Sequence, residues 1–200
     1  MMWTTTRSAD GTTVFQDDYV AENIQFPAEG WKAGVYYFSV KPEYDTYPPK
    51  STYTLTADFT PKSQWATDSS YELEPNGNFN TANPIALATP CKGVFSDSND
   101  ADCYTFSTEE AGKISVTLEN PDQSTANSTV ILYNEAQEPV GKAILRNSST
   151  SVTIPEQGFN AGTFYVQVQT DNALTNSWKY AEQYQLTVNF TPTGDTYESE

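Results

Sequence analysis

Two short segments contain side-chain oxygens that are spaced so that they could bind a common ligand. In YELEPN at 71–76, acids and an amide stand two residues apart, and DSNDAD at 97–102 is built the same way. Side chains two apart in an extended segment point to one side, so each segment could gather its oxygens at one point. A hard cation such as calcium takes about six to eight oxygens. The alternative is that the first segment is an ordinary acidic linker and the second an ordinary solvated hairpin loop. The candidate ligands are Glu72, Glu74, Asn76, Asp97, Asn99, Asp100 and Asp102.

The charge balance narrows the classes of function. The chain has 26 acidic and 10 basic residues, a formal net charge of -16 and no histidine. Nucleic acids and anionic membranes need clusters of cations, so we expect neither as a partner. The lack of histidine removes the commonest general base and the usual Ser and Cys triads. Catalysis by a pair of carboxylates, as in glycosidases, needs no histidine and is therefore still possible. Cation binding is the simpler use of Glu72 and Glu74, and we predict that the chain is not an enzyme.

The cysteines, Cys91 and Cys103, flank eleven residues at 92–102. A hairpin between them would bring the thiols together, which predicts a disulfide typical of an oxidising compartment. The alternative is two free thiols, and two cysteines without histidine make a poor zinc site. No apolar run approaches the roughly 18 residues that span a bilayer, so we predict no membrane insertion.

An internal repeat organises the chain. FPAEGWKAGVYYFSV at 26–40 recurs as IPEQGFNAGTFYVQV at 154–168, STYTLTADFTP at 51–61 as EQYQLTVNFTP at 182–192, and SSYELEP at 69–75 as DTYESE at 195–200. Residues 1–61 therefore match only the second half of a unit. We predict a partial repeat at 1–62, a linker at 63–70, a complete unit at 71–192 and the start of the next at 193–200. The chain then reads as a piece of a longer tandem array.

The secondary-structure signal has a period of two residues. Apolar and polar side chains alternate along 53–59, 114–118, 163–168 and 184–190, and no segment shows a helical stripe. Strands of this kind have one buried and one wet face, which is typical of antiparallel sheets. We predict an all-β fold: an antiparallel, jelly-roll-like β-sandwich in tandem repeats.

The complete unit resembles the bacterial pre-peptidase C-terminal (PPC) domain family, which is related to the collagen-binding domains of clostridial collagenases. Four segments carry the resemblance in the family's order: YELEPNGNFNTA at 71–82, GVFSDSNDADCYTF at 93–106, AGTFYVQV at 161–168 and YQLTV at 184–188. It implies a non-catalytic β-sandwich of a secreted or surface protein, with calcium bound through the first two segments. Gly77 stands where some calcium-binding relatives carry an acid.

Four aromatic residues are candidates for a ligand platform: Tyr37 and Tyr165 at equivalent repeat positions, and Trp178 and Tyr180 in the long loop at 170–183. Exposed aromatic rings bind sugars or proteins, whereas tyrosine also packs on cross-strand neighbours as a good strand former. We predict a calcium-stabilised spacer or adhesion module that contacts neighbouring repeats of its own chain outside the cell. The alternative is a module that binds polysaccharide or matrix protein and targets an attached enzyme.

Overall fold

The computed structural model describes residues 2–9, 11, 13–20, 28–42, 52–64, 70–95, 100–120, 127–146, 149–171 and 182–194. The strands are β1 (Met2–Ser8), β2 (Thr13–Val20), β3 (Tyr36–Pro42), β4 (Ser70–Tyr71), β5 (Asn83–Pro84), β6 (Cys91–Phe95), β7 (Ala101–Thr108), β8 (Gly112–Glu119), β9 (Asn127–Tyr133), β10 (Pro139–Leu145), β11 (Ser151–Phe159), β12 (Gly162–Asp171) and β13 (Glu182–Pro192). One 3-10 turn, Lys62–Gln64, is the only helical segment within these ranges. No helix in the described part of the chain is long and apolar enough to cross a membrane.

Strands β4 to β13 form two facing five-stranded sheets, which confirms the predicted β-sandwich. The front sheet has the order β10-β9-β12-β7-β5 and the back sheet the order β11-β8-β13-β6-β4. Pairing is antiparallel except where the two-residue strands β4 and β5 add to β6 and β7 in parallel. Among these strands, β9 and β10 form a hairpin within the front sheet, and every other connection passes between the sheets. This alternation gives the sandwich its jelly-roll-like character.

The core lies between the two sheets, where the period-two pattern places it. In β8, Ile114, Val116 and Leu118 are buried, and in β12 the buried positions are Phe164, Val166 and Val168. The back sheet contributes Leu186 and Val188 from β13, both fully buried. Each of these residues alternates with a more exposed neighbour, because successive side chains of a strand point to opposite faces.

The predicted disulfide is wrong, because both cysteines are free and buried. Cys91 lies on β6 of the back sheet within the hydrophobic core. Cys103 lies on β7 of the front sheet, where Gln167 of the neighbouring β12 donates a hydrogen bond to its sulfur over 3.7 Å. The connection between β6 and β7 crosses from one sheet to the other, so no hairpin brings the thiols together. The cysteines therefore give no support to an oxidising compartment.

We expect neither thiol to react with Ellman's reagent in the folded protein. Burial raises the pKa of both Cys91 and Cys103 to about 11, so little thiolate forms at neutral pH. Two thiols should appear once the protein is unfolded in denaturant without a reductant. An intact mass two hydrogens lower than the reduced chain, with no thiol released on unfolding, would contradict this arrangement.

Strands β1, β2 and β3 form a separate three-stranded antiparallel sheet in the N-terminal part of the chain. Its order, β2-β1-β3, matches the order β10-β9-β12 in the front sheet of the sandwich. Tyr37 of β3 pairs with Arg7 of β1, and its repeat equivalent Tyr165 of β12 pairs with Tyr133 of β9. The sequence match between the two halves is thus accompanied by a match in strand pairing.

The alternating segment of the first repeat does not form the predicted strand. Residues 52–61 are not in a strand, and Tyr53, Leu55 and Phe59 are 60%, 53% and 87% exposed. Their equivalents in the second repeat belong to β13, which pairs with β8 and β6. The sheet β2-β1-β3 contains no counterpart of those two partners in the described residues. The alternation alone does not make a strand where no neighbour supplies its hydrogen bonds.

Candidate functional site

The candidate site lies at the end of the sandwich where β6 ends and where β7 and β13 begin. Residues 72–76 leave the edge strand β4 and run across this end. Backbone hydrogen bonds fix the segment to both sheets: the amide of Glu72 donates to the carbonyl of Lys92 over 2.9 Å, and the amide of Cys103 donates to the carbonyl of Asn76 over 3.1 Å. The acidic segment therefore closes the gap between the sheets.

The side chain of Glu72 points into the protein and is 1% exposed. One carboxylate oxygen accepts a hydrogen bond from the backbone amide of Val94. The other accepts hydrogen bonds from the hydroxyl of Tyr104 over 3.2 Å and from the amide group of Asn76 over 3.3 Å, and it lies 3.2 Å from the hydroxyl oxygen of Tyr184. Both oxygens of a buried carboxylate are thus held in fixed positions.

Asp102 reaches the same point from the front sheet and is fully buried. It alternates with Cys103, so its side chain faces the interior together with that of Tyr104. The hydroxyl of Tyr184, from the back sheet, donates to Asp102 over 2.6 Å and lies 2.5 Å from the hydroxyl of Tyr104. Two tyrosines from opposite sheets thus connect Glu72 with Asp102.

Asn83 braces the acidic segment from β5. Its amide oxygen accepts a hydrogen bond from the backbone amide of Leu73 over 2.6 Å, and its amide group donates to the carbonyl of the same residue over 3.1 Å. Its oxygen also accepts from the side chain of Asn76 over 3.3 Å. Leu73 is therefore held with its neighbours Glu72 and Glu74 on either side.

Five carboxylates gather around this end of the sandwich. One oxygen from each of Glu29, Glu72 and Glu74 lies within 4.8 Å of the other two, and the same holds for Glu74, Asp100 and Asp102. Glu74 belongs to both groups and joins them. Several oxygens here are buried and accept no hydrogen bond from any residue that the structure describes: Oε1 of Glu29, Oε1 of Glu74, Oδ1 of Asn76 and Oδ1 of Asp102. A buried oxygen without a partner lowers the stability of the fold, unless a cation or a proton binds to it.

The sequence did not predict Glu29. It lies 43 residues before Glu72 and falls within the partial repeat, where it aligns with Gln157 of the complete unit. Neither its spacing nor its neighbours mark it as a ligand. Its approach to Glu74 depends on long-range pairing between two parts of the chain.

The electrostatics of the cluster favour the protonated acids. Burial first, and then the neighbouring carboxylates, raise the pKa of Glu29, Glu72 and Asp102 well above their ordinary values. Burial and the charge of Asp100 raise the pKa of Glu74 to about 8, although the ammonium group of Lys32 opposes this shift. A cation among these oxygens would reverse the balance, because it favours the ionised carboxylates.

We expect metal-stripped protein to become less stable as the pH rises. Glu74 has a pKa of about 8 in the folded protein against an ordinary value of 4.5. The folded state therefore holds its proton more tightly, and the stability gained below pH 4.5 is lost as the pH rises through about 8. Thermal melting in metal-free buffers should show the midpoint falling across this range. A midpoint that is flat or rises with pH would contradict a buried, cation-free cluster.

The remaining predicted site residues either lie outside the described ranges or lie away from the carboxylate cluster on strands. Asp97, Asn99, Trp178 and Tyr180 lie outside the described residues. Tyr165 is half-buried, and its ring packs on Phe79 at 5.0 Å between centroids, which favours the packing role. Tyr37 is 61% exposed on β3.

Comparison with known proteins finds no matching family model. Among solved structures, the chain is similar to the pre-peptidase C-terminal domain of a collagenase from Bacillus anthracis, with 22% identity, a TM-score of 0.43, and coverage of 54% of this chain and 94% of that chain. It is also similar to a mitogen derived from Yersinia pseudotuberculosis, with 14% identity, a TM-score of 0.28, and coverage of 50% and 92%. The first of these belongs to the family that the sequence motifs resemble.

Proposed function

We propose that the chain is a non-catalytic β-sandwich module of a larger secreted or cell-surface protein, and that calcium stabilises it at the buried carboxylate cluster. The observation that carries the proposal is a set of unpartnered, buried oxygens converging from separate segments of the chain. Asn76 and Asp102 are both fully buried, yet within the described part of the chain Oδ1 of each accepts no hydrogen bond. Buried acceptor oxygens that receive no hydrogen bond are stabilised better by a bound cation than by solvent, which does not reach them.

The donor set fits calcium. The candidate ligands are carboxylate and amide oxygens, which are the donors that calcium prefers over nitrogen or sulfur. The residues that would hold the ion are Glu72, Glu74, Asn76, Asp100 and Asp102, with Glu29 as a further oxygen donor. The two groups that share Glu74 provide more carboxylates than one ordinary calcium site needs.

A bound ion would act on the fold rather than on a substrate. Glu72 and Glu74 lie on the segment that crosses the end of the sandwich, whereas Asp102 lies on β7 of the front sheet. An ion shared by these side chains would tie the crossing segment to the sandwich and neutralise their mutual repulsion. In a tandem array, this would stiffen each unit and its entry segment, as a spacer or adhesion module requires.

The test is a calcium titration of the full chain by calorimetry, together with thermal melting. Calcium at about 100 times its Kd should stabilise the protein by about 2.7 kcal/mol, which raises the melting midpoint by about 5–10 °C. Chelator should remove that increment. An unchanged midpoint and no binding heat at millimolar calcium would exclude this part of the proposal.

The substitution Asp102→Asn separates a ligand from a purely structural acid. It keeps the shape of the side chain but removes one charge, so calcium affinity should fall by roughly 10-fold or more. In metal-free buffer the variant should lose less stability than the parent as the pH rises, because asparagine cannot ionise where the buried Asp102, whose pKa is raised by burial and by the neighbouring carboxylates, eventually must. Glu110→Gln, on an exposed turn, is the matched control and should change neither quantity.

A second candidate function is binding of polysaccharide or matrix protein through Tyr37. Its ring is 61% exposed beside Phe38, which is 49% exposed on the same strand. Pull-down on insoluble polysaccharides and on immobilised matrix proteins tests this function. Retention that is unchanged in Tyr37→Ala would remove this residue as the platform.

A further inference from the structure

The acidic cluster receives one side chain from outside the complete unit. Residues 28–34 belong to the N-terminal part of the chain, yet they pair with the segment that crosses the sandwich end. The amide of Glu74 donates to the carbonyl of Gly30 over 2.9 Å, and the amide of Lys32 donates to the carbonyl of Glu74 over 3.0 Å. Trp31 and Glu74 thereby form a parallel bridge.

This pairing places Glu29 against the ligand candidates. Its carboxylate lies in one group with those of Glu72 and Glu74, and no described residue donates a hydrogen bond to its buried Oε1. The ammonium group of Lys32, three residues later, donates to the carbonyl of Pro75 and to that of Thr81 over 3.3 Å. Lys32 thus fastens the same segment without occupying the unpartnered carboxylate oxygens.

The segment is also attached to the N-terminal sheet. The ring of Trp31 packs on Tyr36 at 4.5 Å and on Phe38 at 5.9 Å between centroids, and both residues belong to β3. The hydroxyl of Tyr36 donates to the carbonyl of Lys32 over 2.5 Å. A ligand at Glu29 is therefore mechanically connected to the sheet β2-β1-β3.

We infer that the cation site is shared between consecutive repeats, with Glu29 as the ligand contributed by the preceding repeat. The inference rests on the proposed calcium binding. The ion would link Glu29 to the ligands of the sandwich, so calcium would hold the N-terminal sheet and the sandwich together at this junction. In the complete unit the equivalent residue is Gln157, which lies on β11 and pairs in register with Ile114 of β8, so the carboxylate of Glu29 has an amide as its counterpart there.

The test compares calcium binding by the full chain and its Glu29→Gln variant. We expect the variant to lose roughly 10-fold in calcium affinity, or one of two binding events, because a charged ligand is replaced by a neutral one. The matched control is Glu156→Gln, an exposed acid on β11 beside Gln157, which should bind as the parent does. Circular dichroism establishes that each variant is folded.

A second measurement does not depend on affinity. Tb³⁺ substitutes for calcium and emits when a nearby indole absorbs light and transfers the energy. Excitation selective for tryptophan should give strong Tb³⁺ emission that calcium displaces, and Trp31→Phe should remove most of it.

The outcomes separate this inference from the proposed function. If Asp102→Asn weakens calcium binding as expected while Glu29→Gln binds as the parent does, the inter-repeat ligand is overturned and the calcium site stands. Tb³⁺ emission that persists in Trp31→Phe would likewise contradict an ion site at the junction beside Trp31. If the parent protein binds neither ion, both proposals fail together.

Discussion

Replacing Gly93 with alanine is expected to lower the free energy of unfolding by about 3 kcal/mol. A Cβ atom at this position of β6 would lie 2.1 Å from Cζ of Tyr184 and 2.3 Å from its hydroxyl oxygen. The ring cannot move aside freely, because it packs on Phe95 at 4.7 Å between centroids and its hydroxyl is held by Asp102. Urea denaturation of the full chain measures the loss.

The same substitution should also weaken the candidate calcium site. Displacing the hydroxyl of Tyr184 removes the contacts that position Glu72 and Asp102, so calcium affinity should fall along with stability. Gly162→Ala is the matched control, since it too replaces a strand glycine. The nearest atom to its added Cβ is 3.9 Å away, so stability should stay within about 0.5 kcal/mol. Equal stability of the two variants would refute the described packing of Tyr184.

The second large effect is expected from Leu186→Ala. Leu186 is fully buried on β13, where it pairs in register with Leu118 of β8 and Cys91 of β6. Removing its side chain leaves a cavity in the core, which costs about 2–5 kcal/mol. Because the cavity lies in the middle of the back sheet, neighbouring strands have little freedom to close it. Chemical denaturation monitored by circular dichroism measures the cost.

Leu55 provides an internal control for this prediction. It occupies the repeat position equivalent to Leu186, in the matching context YTLT, yet it is 53% exposed. Leu55→Ala should therefore change the free energy of unfolding by no more than about 0.5 kcal/mol. If the two substitutions cost the same, residues 52–61 are packed like β13 and the description of the N-terminal part is wrong.

Local sequence predicted three strands of the sandwich. The alternation along 114–118, 163–168 and 184–190 became β8, β12 and β13, with the apolar residues on the buried face. A period-two pattern is sufficient for this, because side-chain direction along a strand depends only on the strand itself. The acidic segment at 72–76 was likewise recognisable, since its spacing gathers oxygens whatever the distant fold.

The cysteines show where this reasoning fails. The segment between Cys91 and Cys103 reads as a hairpin, but β6 and β7 belong to different sheets. Turn composition and alternation are the same for a hairpin and for a connection that crosses a sandwich. The choice depends on which strands are available as neighbours, and that information is spread over the whole unit.

The sequence by itself determined the alternation that gives β8, β12 and β13 their buried faces, and the acidic character of residues 72–76. Only the tertiary structure decided which strands pair, that YQLTV is a core strand while the equivalent YTLTA is exposed, and that Glu29 joins Glu72 and Glu74. The first set follows from side-chain periodicity, which is local. The second depends on hydrogen bonds and burial between segments that are far apart in the chain. The alternation within one segment does not specify which other segment it pairs with.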